Sequence, residues 1–306
     1  MNLQKNVSLK DYSNYKIGGP ASFFLELENL DELKEINLDG YKKVFVMGAG
    51  TNILISDNGF DGLVIHNKIL GIKHEDIDLR IGSGVLFSDV LKYCIENSLS
   101  GLEWAGGLPG TVGGAARGNA GAFGEETKDS VYEVESIDLY TKGKKIRKNI
   151  ECEFDYRTSI FKENGDRELI TEVFLKIKIG DKDEIVKKTQ EKIDYRNQRH
   201  PMDYPSLGST FKNVDWKDVP ERFKEELKQY IKDDPMPIMP VAKLIFLVGL
   251  MGKKAGGAMI SDKHPNFIVN VGNAKSSDVL ELIELAKNTV KDKYDITLEE
   301  EIQYLE

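Results

Sequence analysis

The stretch GGLPGTVGGAARGNAGAFG, Gly106 to Gly124, sets the reading of this chain. Glycine stands at 106, 107, 110, 113, 114, 118, 121 and 124, with Leu108, Pro109, Val112, Ala115, Ala116 and Phe123 interleaved. Flexible linkers are rich in Gly and Ser without apolar residues, so this is an ordered segment and not a tether. The chain holds 28 glycines in 306 residues, above the usual ~7%, and the excess is concentrated here. Glycine at this density lets a backbone approach a ligand closely and adopt positive φ. The plain alternative is a tight packing loop with no ligand.

Upstream, KVFVM (Lys43 to Met47) reads as a short buried strand that runs straight into GAGTNILIS. A strand feeding a glycine turn is the setting of a dinucleotide site. The Rossmann spacing fails, because the third glycine expected after Gly48 and Gly50 is replaced by Ile53. Extended segments at Asn52 to Ser56 and Gly62 to His66 follow, where a Rossmann unit would place a helix. No GxxxxGK[ST] occurs, which excludes a P-loop. Any nucleotide held by this turn is held by another route.

Around these turns, Leu33 to Ile36 reads as a short helix, and strand-like runs occupy Leu79 to Ile81, Val131 to Tyr140, Lys144 to Lys148 and Glu168 to Ile179. Ser88 to Asn97 has Val90, Leu91, Cys94 and Ile95 at helical spacing, with Ser88 as candidate cap. Asp181 to Gln198 reads as a charged helix, a surface element or a boundary between domains. Ser277 to Lys291 is amphipathic, with Val279, Ile283, Ala286 and Val290 on one face. Ile296 to Leu305 reads as a terminal strand. At ~150 residues per domain the length allows two or three domains.

The composition is 40% hydrophobic, 30% charged and 9% aromatic, too apolar for disorder. Lys and Arg number 42 against 51 Asp and Glu, a net charge of -9 that argues against a nucleic-acid scaffold. It leaves room for a local cationic pocket. Cys94 and Cys152 make neither a disulfide framework nor a metal motif, and both read as small buried hydrophobes. The N-terminus lacks a signal-peptide core, and the longest apolar stretch, Val241 to Met251, is far short of the ~20 residues a membrane span needs. The expectation is a cytoplasmic protein with no membrane contact and no metal.

Three further segments could carry chemistry. DYRTSIF (Asp155 to Phe161) brings Arg157, which alone reads more readily as a surface ion pair than as a catalytic group. PSLGSTFKN (Pro205 to Asn213) sets serines on either side of Gly208, which alone is ordinary turn chemistry. ITLEEEIQYL (Ile296 to Leu305) puts three carboxylates into a strand, which alone are solvated glutamates.

Their order and wording resemble one family. LKDYSNYKIGGPA, GAGTNILISDNGFDGLVI, GLEWAGGLPGTVGGAARGNAGAFGEE, DYRTSIF, PSLGSTFKN, AGGAMISDKHPNFIVNVGNAKSSDV and the terminal LEEEI follow one another from about Leu9 to the C-terminus. Together they resemble the UDP-N-acetylenolpyruvoylglucosamine reductase family of flavoenzymes. The resemblance implies an α+β protein with an FAD-binding fold of the vanillyl-alcohol-oxidase (PCMH) type in two subdomains, 1–66 and 67–199, and a C-terminal α+β substrate-binding domain, 200–306. It implies non-covalent FAD, since no His or Cys lies within Gly106 to Gly124, where covalently flavinylated oxidases of that superfamily commonly carry one.

The resemblance also implies site residues. Gly48, Ala49, Gly50, Thr51, Asn52 and Ile53 would surround the FAD from one turn. Gly106, Gly107, Pro109, Gly110, Thr111, Gly113, Gly114, Asn119 and Gly121 would do so from the glycine loop. NADPH would reduce the flavin, and the flavin would pass hydride to the enolpyruvyl group of a UDP-sugar. Arg157 matches the family's charge-stabilising arginine, Ser209 its proton donor and Glu301 its glutamate, with Tyr156, Lys212, Asn213 and His264 at the substrate.

On glutamate choice the two lines of reading part. Strand parity groups Ile296, Leu298, Glu300, Ile302 and Tyr304 on one apolar face and so nominates Glu300. Motif register nominates Glu301 and is preferred. The chain departs from the family pattern at Val214, where Pro usually follows FKN, at Leu207 and at His200. It also carries an insert, Asp215 to Pro240, read as a short helix with a Pro-rich exit that lengthens a surface loop, a lid being the alternative.

Overall fold

In the computed structural model, residues 2–233 and 236–306 are described. They fall into two compact units, one of Met1–Val7, Ala21–Ala49 and Asp61–Arg196, the other of Ser8–Pro20, Gly50–Phe60 and Asn197–Glu306. The contiguous stretches read from the sequence do not contain this exchange, by which 8–20 and 50–60 pack with the C-terminal part.

Two larger sheets organise the first unit. The smaller runs Leu3–Ser8, Pro20–Leu27, Phe60–Asn67, Val44–Met47, with the last pair parallel. The larger is antiparallel and runs Lys144–Lys148, Val131–Asp138, Glu168–Lys176, Asp78–Gly82, Ile72–Glu75. Leu79, Ile81, Val134, Val173 and Leu175 of this sheet bury against Val90, Leu91 and Cys94 of one helix and Val112, Ala115 and Ala116 of another. Burying that apolar stripe, more than intrinsic propensity, is what stabilises short helices in a fold. At the start of Glu168–Lys176 a buried charge is paired: Glu168 accepts from Arg147, Lys145 and Ser136.

The helix expected from Ser88 spans Phe87–Glu96, and its cap is Leu86, not Ser88. The reason lies in the glycine loop: Phe87 N donates to Gly110 O at 3.0 Å and Val112 N to Val85 O at 2.9 Å. A carbonyl from a distant turn thus satisfies the helix N-terminus, where a hydroxyl would otherwise be needed.

In the second unit, the helix Ser276–Tyr294 packs on a sheet of Lys254–Ala255, Ala258–Ile260 and Ile268–Asn270. Val279, Ile283, Ala286 and Val290 are all fully buried, as the helical spacing required. Asp57 caps this helix from the 50–60 segment, accepting from Ser276 N at 3.0 Å and Ser276 Oγ at 2.9 Å. The same segment contributes Ile53–Ile55, which pairs in parallel with Gln303–Leu305.

Two expectations are corrected here. The insert from Asp215 is not a simple surface loop. Val214–Asp215, Pro237–Met239 and Lys232–Asp233 form a small sheet beside the helix Glu221–Leu227, and Val219, Leu227, Ile238 and Met239 are buried. Its apolar residues are spaced to join the core, which a loop reading overlooks (Asp234 and Pro235 lie outside the described residues). The terminal strand is only Gln303–Leu305. Ile296, Leu298 and Ile302 are buried, but Tyr304 is 40% exposed and Leu305 buried, so the alternation breaks after Ile302.

Among the described residues no helix is long and apolar enough to cross a membrane. None of them form a cluster of three His, Cys, Asp or Glu side chains fit for a metal. Both cysteines are buried, and burial pushes each thiol up to about 12.

Candidate active site

In the first unit, the glycine loop wraps a seven-residue helix, Val112–Gly118. Thr111 caps it by accepting from Gly114 N at 3.2 Å, and Asn119 ends it in the left-handed conformation. Gly113 N donates to Ser83 O at 2.9 Å, fixing the loop to the end of a strand. Gly106 O accepts from Arg196 Nε at 2.9 Å, fixing its other end to the helix Lys182–Arg199. A Cβ on Gly48 would stand 2.7 Å from Thr111 Oγ1. The two glycine turns therefore meet, and only glycine allows it.

This backbone, bare of side chains, fits a flat cofactor with a pyrophosphate: successive N–H groups can form an anion nest without net positive charge. Gly107, Pro109 and Gly114 are exposed, while Thr111 and Gly113 are buried. The Asn119 side chain is built into the protein, donating to Asp155 O at 3.0 Å and accepting from Lys128 N at 3.0 Å.

Those bonds tie the loop to the turn that carries Arg157. Asp155 and Thr158 exchange both backbone hydrogen bonds, at 3.2 and 3.1 Å, and Arg157 takes φ +58 between them. Positive φ on a long side chain is uncommon and is retained where surroundings impose it. The guanidinium lies 4.9 Å from the Tyr156 ring centroid, and Nη2 donates to Gly121 O at 3.0 Å.

The second unit gathers a different set. Gly50, at φ +62, lies against the Tyr12 carbonyl, where a Cβ would come within 2.1 Å. Asn52 accepts from Gln303 N through its carbonyl at 2.9 Å and donates through its side chain to Glu301 O at 3.1 Å. Glu301 N in turn donates to Thr210 O at 2.8 Å, and Lys212 N to Glu299 O at 2.8 Å. Ser209 is thus adjacent to a backbone pairing with the terminal glutamates. Among the described residues its hydroxyl makes no hydrogen bond.

Glu300 and Glu301 differ. The Glu300 carboxylate accepts from Lys287 Nζ at 2.9 Å and from the Tyr304 hydroxyl. Those bonds give it a structural part on the helix Ser276–Tyr294. Lys212 pairs with Glu299, and Asn213 Oδ1 accepts from Val241 N at 3.1 Å, capping the helix Val241–Leu247.

Sequence reading missed Asn266, which is buried and clamps the Ser209 loop. It accepts from Phe211 N through Oδ1 at 3.0 Å, donates to Phe211 O at 2.8 Å, and accepts from Thr210 N through its backbone at 2.7 Å. The sole signal was its place in SDKHPNF. His264, in the same turn, packs edge-on against Phe267 and His200, with centroids 4.8 and 5.3 Å away. Its Nδ1 is buried without a hydrogen-bond partner, and burial lowers its pKa to about 4. The imidazole is neutral at pH 7.

A family model for the UDP-N-acetylenolpyruvoylglucosamine reductase C-terminal domain matches residues 200–305, and one for an FAD binding domain matches residues 23–147. The UDP-N-acetylenolpyruvoylglucosamine reductase of Clostridium tetani is 34% identical over 305 residues, 98% of this chain and 91% of that one. The chain belongs to the UDP-N-acetylenolpyruvoylglucosamine reductase family. The reductase of Thermosipho melanesiensis is 37% identical over 301 residues, covering 97% of this chain and 94% of that one. The crystal structure of the reductase from Thermus caldophilus aligns over the whole of both chains, with a TM-score of 0.78 at 30% identity. The α+β class and the FAD-binding fold expected from the sequence stand with these matches, and the reductase family makes this an FAD-containing oxidoreductase.

Proposed function

We propose that this chain reduces the enolpyruvyl ether of UDP-N-acetylglucosamine enolpyruvate to UDP-N-acetylmuramate at the expense of NADPH, a step of peptidoglycan synthesis. Bound FAD would supply hydride transfer between NADPH and the vinyl group of the substrate. The backbone of Gly48 to Ile53 and of Gly106 to Gly121 would hold it. The chain's own side chains then deal with the charge that develops beside the substrate carboxylate.

Arg157 is the fixed cation for that charge; a preorganised donor of this kind contributes ~3–4 kcal/mol. Ser209 delivers the proton to carbon. A serine is a weak acid in water, but a carbanionic neighbour is a strong base, so a positioned hydroxyl serves. Glu301 would help polarise the carboxylate, and Tyr156, Lys212, Asn213 and His264 would bind the substrate. NADPH and UDP-sugars being cytoplasmic metabolites, the same reading places the enzyme in the cytoplasm.

The observation that carries the reading is the backbone pairing of Thr210 with Glu301, which brings the residue after Ser209 to the terminal acids while the Ser209 hydroxyl has no hydrogen-bond partner among the described residues. The test is colour. The purified protein should be yellow, bleach with NADPH under nitrogen and recover its colour on adding the enolpyruvyl UDP-sugar. Heat or acid should release all the flavin. Flavin that stays with the precipitate, or a bleached protein indifferent to the UDP-sugar, refutes the proposal.

A further inference from the structure

One buried carboxylate in the first unit has no part in the mechanism above. Glu126 has a side chain only 2% exposed. The hairpin of Gly121–Ala122 and Glu125–Glu126 sets it opposite Gly121. Its backbone is anchored by Glu126 N donating to Asp129 Oδ2 at 2.8 Å, and the next residue by Thr127 N donating to Ala120 O at 2.8 Å.

Its two oxygens face two cations. Oε2 lies 2.6 Å from Lys128 Nζ, and Oε1 lies 3.7 Å from Arg157 Nη1. The other end of the Arg157 fork is held by Gly121 O at 3.0 Å. A Cβ on Gly121 would come 2.7 Å from Glu126 Cγ and 3.3 Å from Arg157 Nη1. Glycine at 121 is therefore what lets the glutamate and the guanidinium close on one another.

A buried charge is costly to desolvate, and an exposed partner such as Lys128, with 35% of its side chain accessible, returns little. A pair with Lys128 alone would be as stable on the surface. The second contact, to the guanidinium, gives the burial a purpose. A planar fork stabilises charge only in the orientation where its N–H vectors meet the acceptor, so whatever fixes that plane controls the rate.

We infer that Glu126 is a positioning residue for Arg157: the Gly121 carbonyl hydrogen-bonds one end of the guanidinium, and the buried Glu126 carboxylate, ion-paired with the other end, holds it in place. The inference rests on the role proposed above for Arg157.

Glu126→Gln keeps the shape and removes the charge. FAD retention and bleaching by NADPH should stay close to wild type, while kcat for reoxidation by the enolpyruvyl UDP-sugar falls about 10- to 100-fold, as when other outer-shell carboxylates are removed. In an Arg157→Lys background the same change should add almost nothing, because residues that act through one another are not additive. A merely structural glutamate would instead lower both half-reactions together, and its effect would multiply that of Arg157→Lys; either result overturns the inference. If Glu126→Gln loses FAD, Glu126→Asp retains the charge at shorter reach and should show the same selective loss; wild-type reoxidation there overturns it equally. An Arg157→Lys enzyme with normal reoxidation would remove the role of Arg157 itself, and the inference with it. Normal Glu126→Gln kinetics beside a damaged Arg157→Lys enzyme would overturn the inference alone.

Discussion

Arg157 sits in a four-residue turn at φ +58, with Tyr156 beneath its guanidinium, Gly121 O on one nitrogen and Glu126 beside another. Ser209 sits in a loop whose backbone neighbours are clamped by Asn266 and Glu301, while its own hydroxyl has no partner among the described residues. The contrast fits the two tasks proposed for them. A group that stabilises developing charge works best when its dipoles are already oriented. A group that delivers a proton needs a fixed Cα and a free O–H torsion, since the hydroxyl hydrogen has to turn toward its acceptor.

The sharpest way to break this contrast is Ser209→Ala. General-acid removal should lower turnover by ~10²–10⁴ while FAD binding, melting temperature and flavin bleaching by NADPH stay unchanged. With deuterated NADPH, label should wash into the vinyl position of recovered substrate faster than product forms. Wild-type turnover would end the assignment of Ser209.

Arg157→Lys keeps the charge but loses the fork and should slow reoxidation by ~10²–10³, with flavin reduction preserved. Unlike the serine variant, it should also lower the melting temperature, because the guanidinium is part of a packed knot. Equal loss in both half-reactions would make Arg157 a folding or cofactor residue.

Asn266→Ala leaves the Phe211 amide and carbonyl buried without their side-chain partner and should destabilise the protein by ~2 kcal/mol in urea unfolding. Turnover should fall as well, since the Ser209 loop loosens. Unchanged stability would show that pairing with the terminal glutamates suffices.

His264 gives a pH signature. Its folded pKa is about 4, lowered by burial, against ~6.5 unfolded. Between those values the unfolded chain binds a proton that the folded one refuses, so stability falls as pH drops from about 6.5 toward 4. His264→Gln should flatten that slope; an unaltered slope would show that other groups set it. The smallest effect belongs to Glu300→Gln, expected to cost ~1 kcal/mol or less with turnover intact, whereas Glu301→Gln should impair turnover. The reverse pattern would restore the parity choice of Glu300.

The glycine loop, the strand before GAGTN and the amphipathic face of the last helix were legible because each depends on local geometry: glycine for close approach and period 3.6 for a buried stripe. Parity failed at the terminus because Ile296 to Leu305 is not one strand, and alternation holds only along continuous pairing. The insert was misjudged because its charged residues hide the apolar positions Val219, Leu227, Ile238 and Met239, whose burial depends on the core they meet.

By itself the sequence determined the order of motifs, the turns that only glycine can make, and the residue types able to carry charge and protons. Tertiary structure alone decided which of them are engaged. It gave Glu300 to Lys287 and Tyr304, tied Asn52 to Glu301 across 249 positions, clamped Phe211 with Asn266, and buried Glu126 beside Arg157. A hydrogen bond or ion pair forms where two groups come within about 3 to 4 Å at a workable angle. Between residues distant in sequence, that proximity is set by how the intervening chain packs.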